Sequence, residues 1–284
     1  MPELPEVETI RRGLAVLIEQ PIKQVKVSQP KVVRPRQFAR LLNHRRITNI
    51  GRRGKLLILH LDNGRFLLVH LRMTGQLVYR PPRGKLVVGG HPIKNLTTLP
   101  NKFTHVEISF KNGGVIYYND VRRFGYLHIV DGRELAKVLD RFGPELLDQS
   151  ITSYSWLELL KDHKNWPIKK FLLDQTVIAG VGNIYADEAC FRSQLKPTRK
   201  IRTINLSQRK LLLTSLRQVL RSSIRHGGTS FNSYVDVEGN SGRFYHLRKV
   251  YDREGQLCSR CKKAEIKKIK FQGRGTHFCP NCQK

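Results

Sequence analysis

Four cysteines near the end of the chain constrain its fold more than any other feature. Two residues separate Cys258 from Cys261 and Cys279 from Cys282, and 17 residues separate the two knuckles. That spacing brings four thiolates around one tetrahedral zinc ion. With every position filled by protein sulfur no place remains for water, so one structural rather than catalytic Zn2+ is expected. The competing reading, disulfides, needs an oxidising compartment. Against it, the N-terminus reads as no signal peptide, because its apolar residues are periodic and interrupted by Glu and Arg. Between the knuckles, Ile269–Phe271 and Thr276–Phe278 read as short strands around Gln272-Gly-Arg-Gly275, with Arg274 at the hairpin tip and Lys262, Lys263, Lys267, Lys268 and Lys270 around it. The fifth cysteine, Cys190, reads as a small buried hydrophobe.

Upstream the apolar period changes once. Residues 22 to 130 read mainly as strands, whereas 154–162, 167–175, 183–194 and 207–225 carry helical spacing. Asp62-Asn63-Gly64 and Asn112-Gly113 each separate two apolar runs, the signature of a hairpin. With Asn63 and Gly64 as a two-residue loop, Lys55 faces Arg72 and Leu57 faces His70, so three basic side chains converge at the end away from the turn. Residues 81–103 read as a long loop, and Asp120-Val-Arg-Arg-Phe-Gly125 as a basic, aromatic turn before a last strand, Tyr126–Val130. The fold class is therefore α+β. Residues 1–131 form an N-terminal helix plus β-sandwich domain, 132–149 a linker, 150–250 a helical domain and 251–284 the finger. The helical domain joins two helices through Ile178-Ala-Gly-Val-Gly-Asn183, with Asn183 as cap of the second, whose exposed amides suit a phosphate.

Composition then narrows the partner. Lys plus Arg is 52 and Asp plus Glu is 22, a formal charge of +30. Such an excess points to a polyanion. A membrane surface is disfavoured, since no long apolar span or polybasic amphipathic helix stands out.

The chain opens Met1-Pro2-Glu3-Leu4-Pro5-Glu6-Val7-Glu8, with Val7, Ile10, Leu14, Leu17 and Ile18 at helical spacing through Gln20. Removal of Met1 leaves Pro2 with a secondary amine titrating near pH ~8, able to attack a carbonyl carbon and form a cationic iminium. Glu3 and Glu6 lie close enough to transfer protons or position the amine.

This octapeptide resembles the start of the bacterial formamidopyrimidine-DNA glycosylase family, and the later motifs extend the resemblance along the chain. It implies a helix-two-turn-helix within the 150–250 helical domain, and a bifunctional base-excision enzyme for 8-oxoguanine and formamidopyrimidines. Pro2 would be the nucleophile, Glu3 the proton donor and Glu6 the support of the amine, with Lys55 counted in the same catalytic set. Lys55, His70, Asn183 and Arg274 would grip phosphates. Met73, Arg122 and Phe124 would fill the gap left by an everted nucleotide. Taken singly, Met73 reads as core. The family form has proline where this chain has Val121. Segments Thr229–Tyr234 and Asn240–Tyr245 resemble the region that closes over the flipped base, and Tyr234 or Tyr245 could equally be structural. A monomer acting on damaged double-stranded DNA in the cytoplasm, at the nucleoid, is expected. Two rivals remain. An endonuclease VIII-like glycosylase for oxidised pyrimidines shares Pro2, Glu3, the lysine and the finger, but Leu4 and the Met73/Arg122/Phe124 set favour the purine enzyme. A non-catalytic zinc-ribbon module gives no reason for Pro2, Glu3 and Lys55 together.

Overall fold

The structure, a computed structural model, describes residues 2–84, 86–90, 98–148, 151–228 and 244–284. They fall into two compact units, one within 1–140 and 226–245, the other within 141–225 and 246–284.

The first unit begins with α1 (Leu4–Gly13) and a 3-10 turn, Leu14–Leu17. Then follow β1 (Ile22–Val27), β2 (Val33–Arg34), α2 (Phe38–Leu42), β3 (Ile47–Arg53), β4 (Leu56–Leu61), β5 (Phe66–His70), β6 (Gly75–Arg80), β7 (Val87–Gly90), β8 (Thr104–Phe110), β9 (Val115–Asp120), β10 (Tyr126–Val130) and α3 (Gly132–Leu139). The strands make two five-stranded sheets, ordered β1-β8-β9-β6-β7 and β2-β10-β5-β4-β3. Their alternate residues meet in one core. Leu57, Leu59 and Val69 from one sheet and Leu77, Ile108 and Tyr118 from the other are buried together with Val7, Ile10 and Leu14 of the N-terminal segment. Fully burying each such side chain stabilises by about 1.5–3 kcal/mol. α1 packs on β7 and β3, the last strand of each sheet, and so closes the open side of the sandwich. Gly89 permits this, because a Cβ there would collide with Ile10.

Several expectations need correction. α1 stops at Gly13 rather than running to Gln20, and Ile18 lies in extended backbone outside the core. The β4–β5 register pairs Leu57 with Val69, one residue from the expected Leu57–His70. Leu61 N–H donates to the Arg65 carbonyl, so Asp62 joins Asn63 and Gly64 in a three-residue loop with Gly64 at φ +73°. The second hairpin does the same through Lys111, Asn112 and Gly113, the last at φ +89°. Within the expected 81–103 loop, β7 pairs with β6, Val88 against Val78. Residues 91–97 lie outside the described residues, as do the Thr229–Tyr234 segment and residues 240–243 of the Asn240–Tyr245 segment.

The second unit holds α4 (Ser153–Asp162), α5 (Ile168–Leu173), α6 (Asn183–Arg192) and α7 (Leu206–Arg225). After α8 (Phe244–Leu247) comes the finger hairpin, β11 (Lys267–Phe271) and β12 (Arg274–Phe278). Between α5 and α6 the chain makes a double turn stapled by Gln175. Its amide nitrogen donates to the Leu173 and Val181 carbonyls, and its oxygen accepts the Gly180 N–H. The α+β class, with sandwich, helix-two-turn-helix and hairpin finger, is as expected. Among the described residues no helix is long and apolar enough to cross a membrane.

Candidate functional site

At the start of the first unit, α1 and its capping residue Glu3 carry three buried carboxylates, Glu3, Glu6 and Glu8. Pro5 in the first turn fits a helix start, where its missing N–H costs nothing. Glu3 and Glu6 form a capping box: the Glu3 side chain accepts from the backbone of Glu6, and Glu3 N–H donates to Glu6 Oε2 at 2.8 Å. Two carboxylates are thus locked beside buried Pro2. Gly228, at φ +88°, packs its backbone on the Glu6 carboxylate, where an added Cβ would lie 3.0 Å from Oε1.

Glu8 fastens the helix to the turn that carries Lys55. It bonds Arg11 and Arg12 of its own helix and Arg52 of β3 at 3.2 Å. Burial opposes its charge, yet the Arg11 and Arg12 hydrogen bonds and the charges of Arg11 and Arg52 outweigh this and hold its pKa down at about 2. Arg52 Nη1 in turn donates to the Gly54 carbonyl at 3.0 Å, one residue before buried Lys55. His70 Nδ1 accepts the Arg72 N–H at 3.1 Å. Burial first, then Arg72 and Lys55, push the His70 pKa down to about 3. The ring is therefore neutral with its proton on Nε2, a donor suited to a phosphate oxygen. Convergence of Lys55, His70 and Arg72 survives the register correction because Lys55 lies just before the ladder begins.

Met73 lies between β5 and β6; Arg122 and Phe124 lie between β9 and β10. β6 and β9 are antiparallel, so both loops leave the same sheet end. Met73 is 43% exposed and Phe124 55%, which decides against a core role. The Arg122 guanidinium sits 4.6 Å from the Phe124 ring centre. Its backbone N–H reaches Thr74 Oγ1 at 3.1 Å, bringing the two loops together.

The second unit assembles a separate group. Asn183 is the first residue of α6 rather than its cap; Gly182 takes the cap position, and no side chain caps it. Asn183 Nδ2 instead donates to the Gly275 carbonyl at 2.9 Å, tying α6 to the finger hairpin beside Arg274. Gln272 and Gly273, both at positive φ, form the hairpin turn, so exposed Arg274 starts β12 instead of occupying the tip. Beneath them Lys169 and Asp187 make a buried ion pair at 2.6 Å. Lys169 also donates to Thr276 Oγ1 and the Gly275 carbonyl, while Asp187 accepts the His277 N–H.

Cys258, Cys261, Cys279 and Cys282 place their sulfurs within 4.8 Å of one another, with Cys258–Cys282 and Cys261–Cys279 both at 3.8 Å. A disulfide needs about 2.05 Å. Four sulfurs at about 2.3 Å from zinc form a tetrahedron with edges of about 3.8 Å. The residues fit one structural zinc. The Lys263 N–H, the Asn281 side chain and the Ala264 N–H hold the Cys261 thiol down at about 6, ready to ligate.

Glu8, Arg52, Thr74, Asp120, Lys169 and Asp187 are not among the residues that the sequence singled out. Asp120 left a trace, as an aspartate ending an apolar strand just before a turn. Lys169, in a Lys-Lys pair, left none.

Three family models match the chain in order. They are the formamidopyrimidine-DNA glycosylase N-terminal domain over residues 1–127, the formamidopyrimidine-DNA glycosylase H2TH domain over 142–235, and the zinc finger found in FPG and IleRS over 255–284. A formamidopyrimidine-DNA glycosylase of Heliobacterium modesticaldum is 41% identical, covering 100% of both chains. One from Streptococcus pneumoniae is 36% identical over 100% of this chain and 99% of its own. The solved complex of Lactococcus lactis Fpg with DNA containing an abasic site matches 100% of both chains at a TM-score of 0.87 and 33% identity.

Proposed function

Because the chain belongs to the formamidopyrimidine-DNA glycosylase family, we propose that it excises 8-oxoguanine and formamidopyrimidines from duplex DNA and then cleaves the abasic strand. It is a DNA glycosylase and abasic-site lyase, so the reading as a purely binding module falls away. Related complexes hold DNA with an abasic site or a benzylated formamidopyrimidine, which supports this lesion class.

The observation that carries the mechanism is the pair of buried carboxylates beside Pro2, each accepting a hydrogen bond from the other residue's backbone N–H. Once Met1 is removed, the Pro2 nitrogen attacks C1′ of an everted nucleotide. The glycosidic bond breaks with its electron pair leaving on the base. Glu3 delivers a proton to the ring oxygen as the sugar opens, and Glu6 orients the amine. The resulting iminium acidifies the C2′ proton. Loss of that proton expels the 3′ phosphate, and a second elimination expels the 5′ phosphate, leaving a one-nucleotide gap. Lys55, His70, Asn183 and Arg274 hold phosphates. Met73, Arg122 and Phe124 fill the vacated stack, with Arg122 on the orphaned base. Cys258, Cys261, Cys279 and Cys282 would hold zinc as a cross-link of the finger, with four sulfurs filling every position and none left open to substrate. The working parts divide as 1–131, 132–149, 150–250 and 251–284, and the enzyme acts as a monomer at the bacterial nucleoid.

Borohydride trapping on a duplex with 8-oxoguanine opposite cytosine tests this. The expected adduct maps to Pro2 by mass and is absent on undamaged DNA. An adduct formed only on an oxidised pyrimidine would move the chain to the endonuclease VIII-like reading. Undiminished strand cleavage by Pro2→Gly would sink the mechanism.

A further inference from the structure

β9 ends at Asp120, paired with Gly75 at the start of β6. Its carboxylate is fully buried and receives four donors. Oδ1 accepts from the Thr74 hydroxyl and, at 3.1 Å, from the Arg122 N–H. Oδ2 accepts from the Tyr118 hydroxyl at 3.2 Å and the Gly125 N–H at 2.8 Å. A carboxylate offers about four lone-pair sites, so all are in use. The donors come from three places: the Met73 loop through Thr74, the Arg122–Phe124 loop through Arg122 and Gly125, and the sheet through Tyr118.

The post itself is fixed. Asp120 N–H donates to the Phe103 carbonyl at 3.0 Å, and its own carbonyl lies 2.7 Å from His105 Nε2. Both flanking glycines are hemmed in. A Cβ on Gly75 would strike the Leu71 carbonyl; one on Gly125 would strike the Tyr118 hydroxyl and lie 2.8 Å from the His70 carbonyl. Burial, then the nearby Asp120 charge, raises the Tyr118 pKa, so its hydroxyl remains a donor. Arg123 between the two wedge residues is at φ +56°, a backbone state that needs holding.

We propose that Asp120, acting with Thr74, is a positioning residue that locks the Met73 loop to the Arg122–Phe124 loop, so that the three wedge side chains enter the DNA stack as one rigid unit. The inference rests on the wedge role proposed above. It assigns to Asp120 no contact with DNA. Its effect falls on forming and holding the everted state, after encounter and before bond breaking.

Two variants test it. Asp120→Asn keeps the shape but turns one acceptor oxygen into a donor, facing either Thr74 and Arg122 or Tyr118 and Gly125. Thr74→Val leaves Asp120 intact and removes only the cross-loop hydroxyl, which keeps the test decisive if the asparagine variant does not fold. Each variant is compared with wild type in two assays. Single-turnover excision on an 8-oxoguanine duplex requires the wedge, whereas borohydride trapping on a single-stranded abasic oligonucleotide has no stack to fill. A hydrogen bond to a charged group carries enough weight that its loss should slow duplex excision about tenfold or more. Single-strand trapping should stay within about twofold. 2-Aminopurine opposite the lesion should brighten less on binding. Equal losses in both assays, or no loss in either, would overturn the inference. Failure of wild-type protein to trap single-stranded abasic DNA would instead refute the proposed chemistry, and the two failures are thereby told apart.

Discussion

Lys169 and Asp187 allow a prediction whose sign, not only its size, can be tested. The ion pair is 2.6 Å long with both side chains at most 1% exposed. At an effective dielectric constant of about 20 the gross attraction is about 6 kcal/mol, but two desolvation penalties consume much of it. The net value of the pair is therefore small, while the cost of removing one partner is large. Lys169→Met leaves a buried carboxylate with the His277 N–H and, at 3.4 Å, His277 Nδ1 beside it, and deprives Thr276 and Gly275 of a donor. Breaking a buried pair in this way costs about 3–5 kcal/mol. Adding Asp187→Asn to Lys169→Met removes the stranded charge and keeps an acceptor for His277, so the second substitution should recover about 2 kcal/mol. Both tryptophans, Trp156 and Trp166, lie in the second unit, so urea unfolding of zinc-loaded protein followed by tryptophan fluorescence reports that unit alone. The reasoning is refuted if Lys169→Met costs less than about 1 kcal/mol, or if Asp187→Asn makes it worse.

Other perturbations have equally definite outcomes. Cys279→Ser should abolish zinc retention, read by a metallochromic dye after denaturation, and weaken duplex binding through loss of the finger. Arg274→Ala should keep binding salt-dependent but lower the log–log slope by about 0.9, the share of one phosphate. His70 titrates near 6.5 when unfolded and about 3 when folded. Between those values only the unfolded chain takes the proton, so this contribution is full above 6.5 and is lost as pH falls toward 3. His70→Gln should flatten the stability curve in that window, while the Glu8 contribution, lost between 4.5 and about 2, remains; an unchanged slope above pH 4.5 would contradict the half-buried, neutral ring.

What the chain discloses in advance depends on how locally each feature is encoded. The zinc site is written in two short spacings, and the sulfurs stand at tetrahedral separation as expected. The α5–α6 turn was equally legible, since its glycines and Asn183 occur within a few residues. Both Asn-Gly hairpins were legible as hairpins, but the register expected for the first was one residue out. Asp62 and Lys111 give no local sign of joining the loop, and one extra residue shifts every pair. β7 was hidden because four residues, Val87–Gly90, gain their identity only from β6.

The wedge residues are locally encoded, whereas the group that holds them is not. Met73, Arg122 and Phe124 announce themselves by type within short motifs. Their mutual placement depends on one hydroxyl and one carboxylate 46 residues apart in sequence. Likewise Lys169 meets Thr276 across 107 residues. Groups that meet DNA must project from the surface, and short loops can carry them. Groups that aim those loops must be buried and saturated, and burial is created by chain closure over long separations. Variation in this family's wedge loops should therefore be tolerated at exposed positions such as Val121, 46% exposed, and not at Asp120, which is fully buried. Val121 substitutions that leave duplex excision within about twofold, beside an Asp120→Asn loss of tenfold or more, would bear out that division; equal sensitivity at both positions would break it.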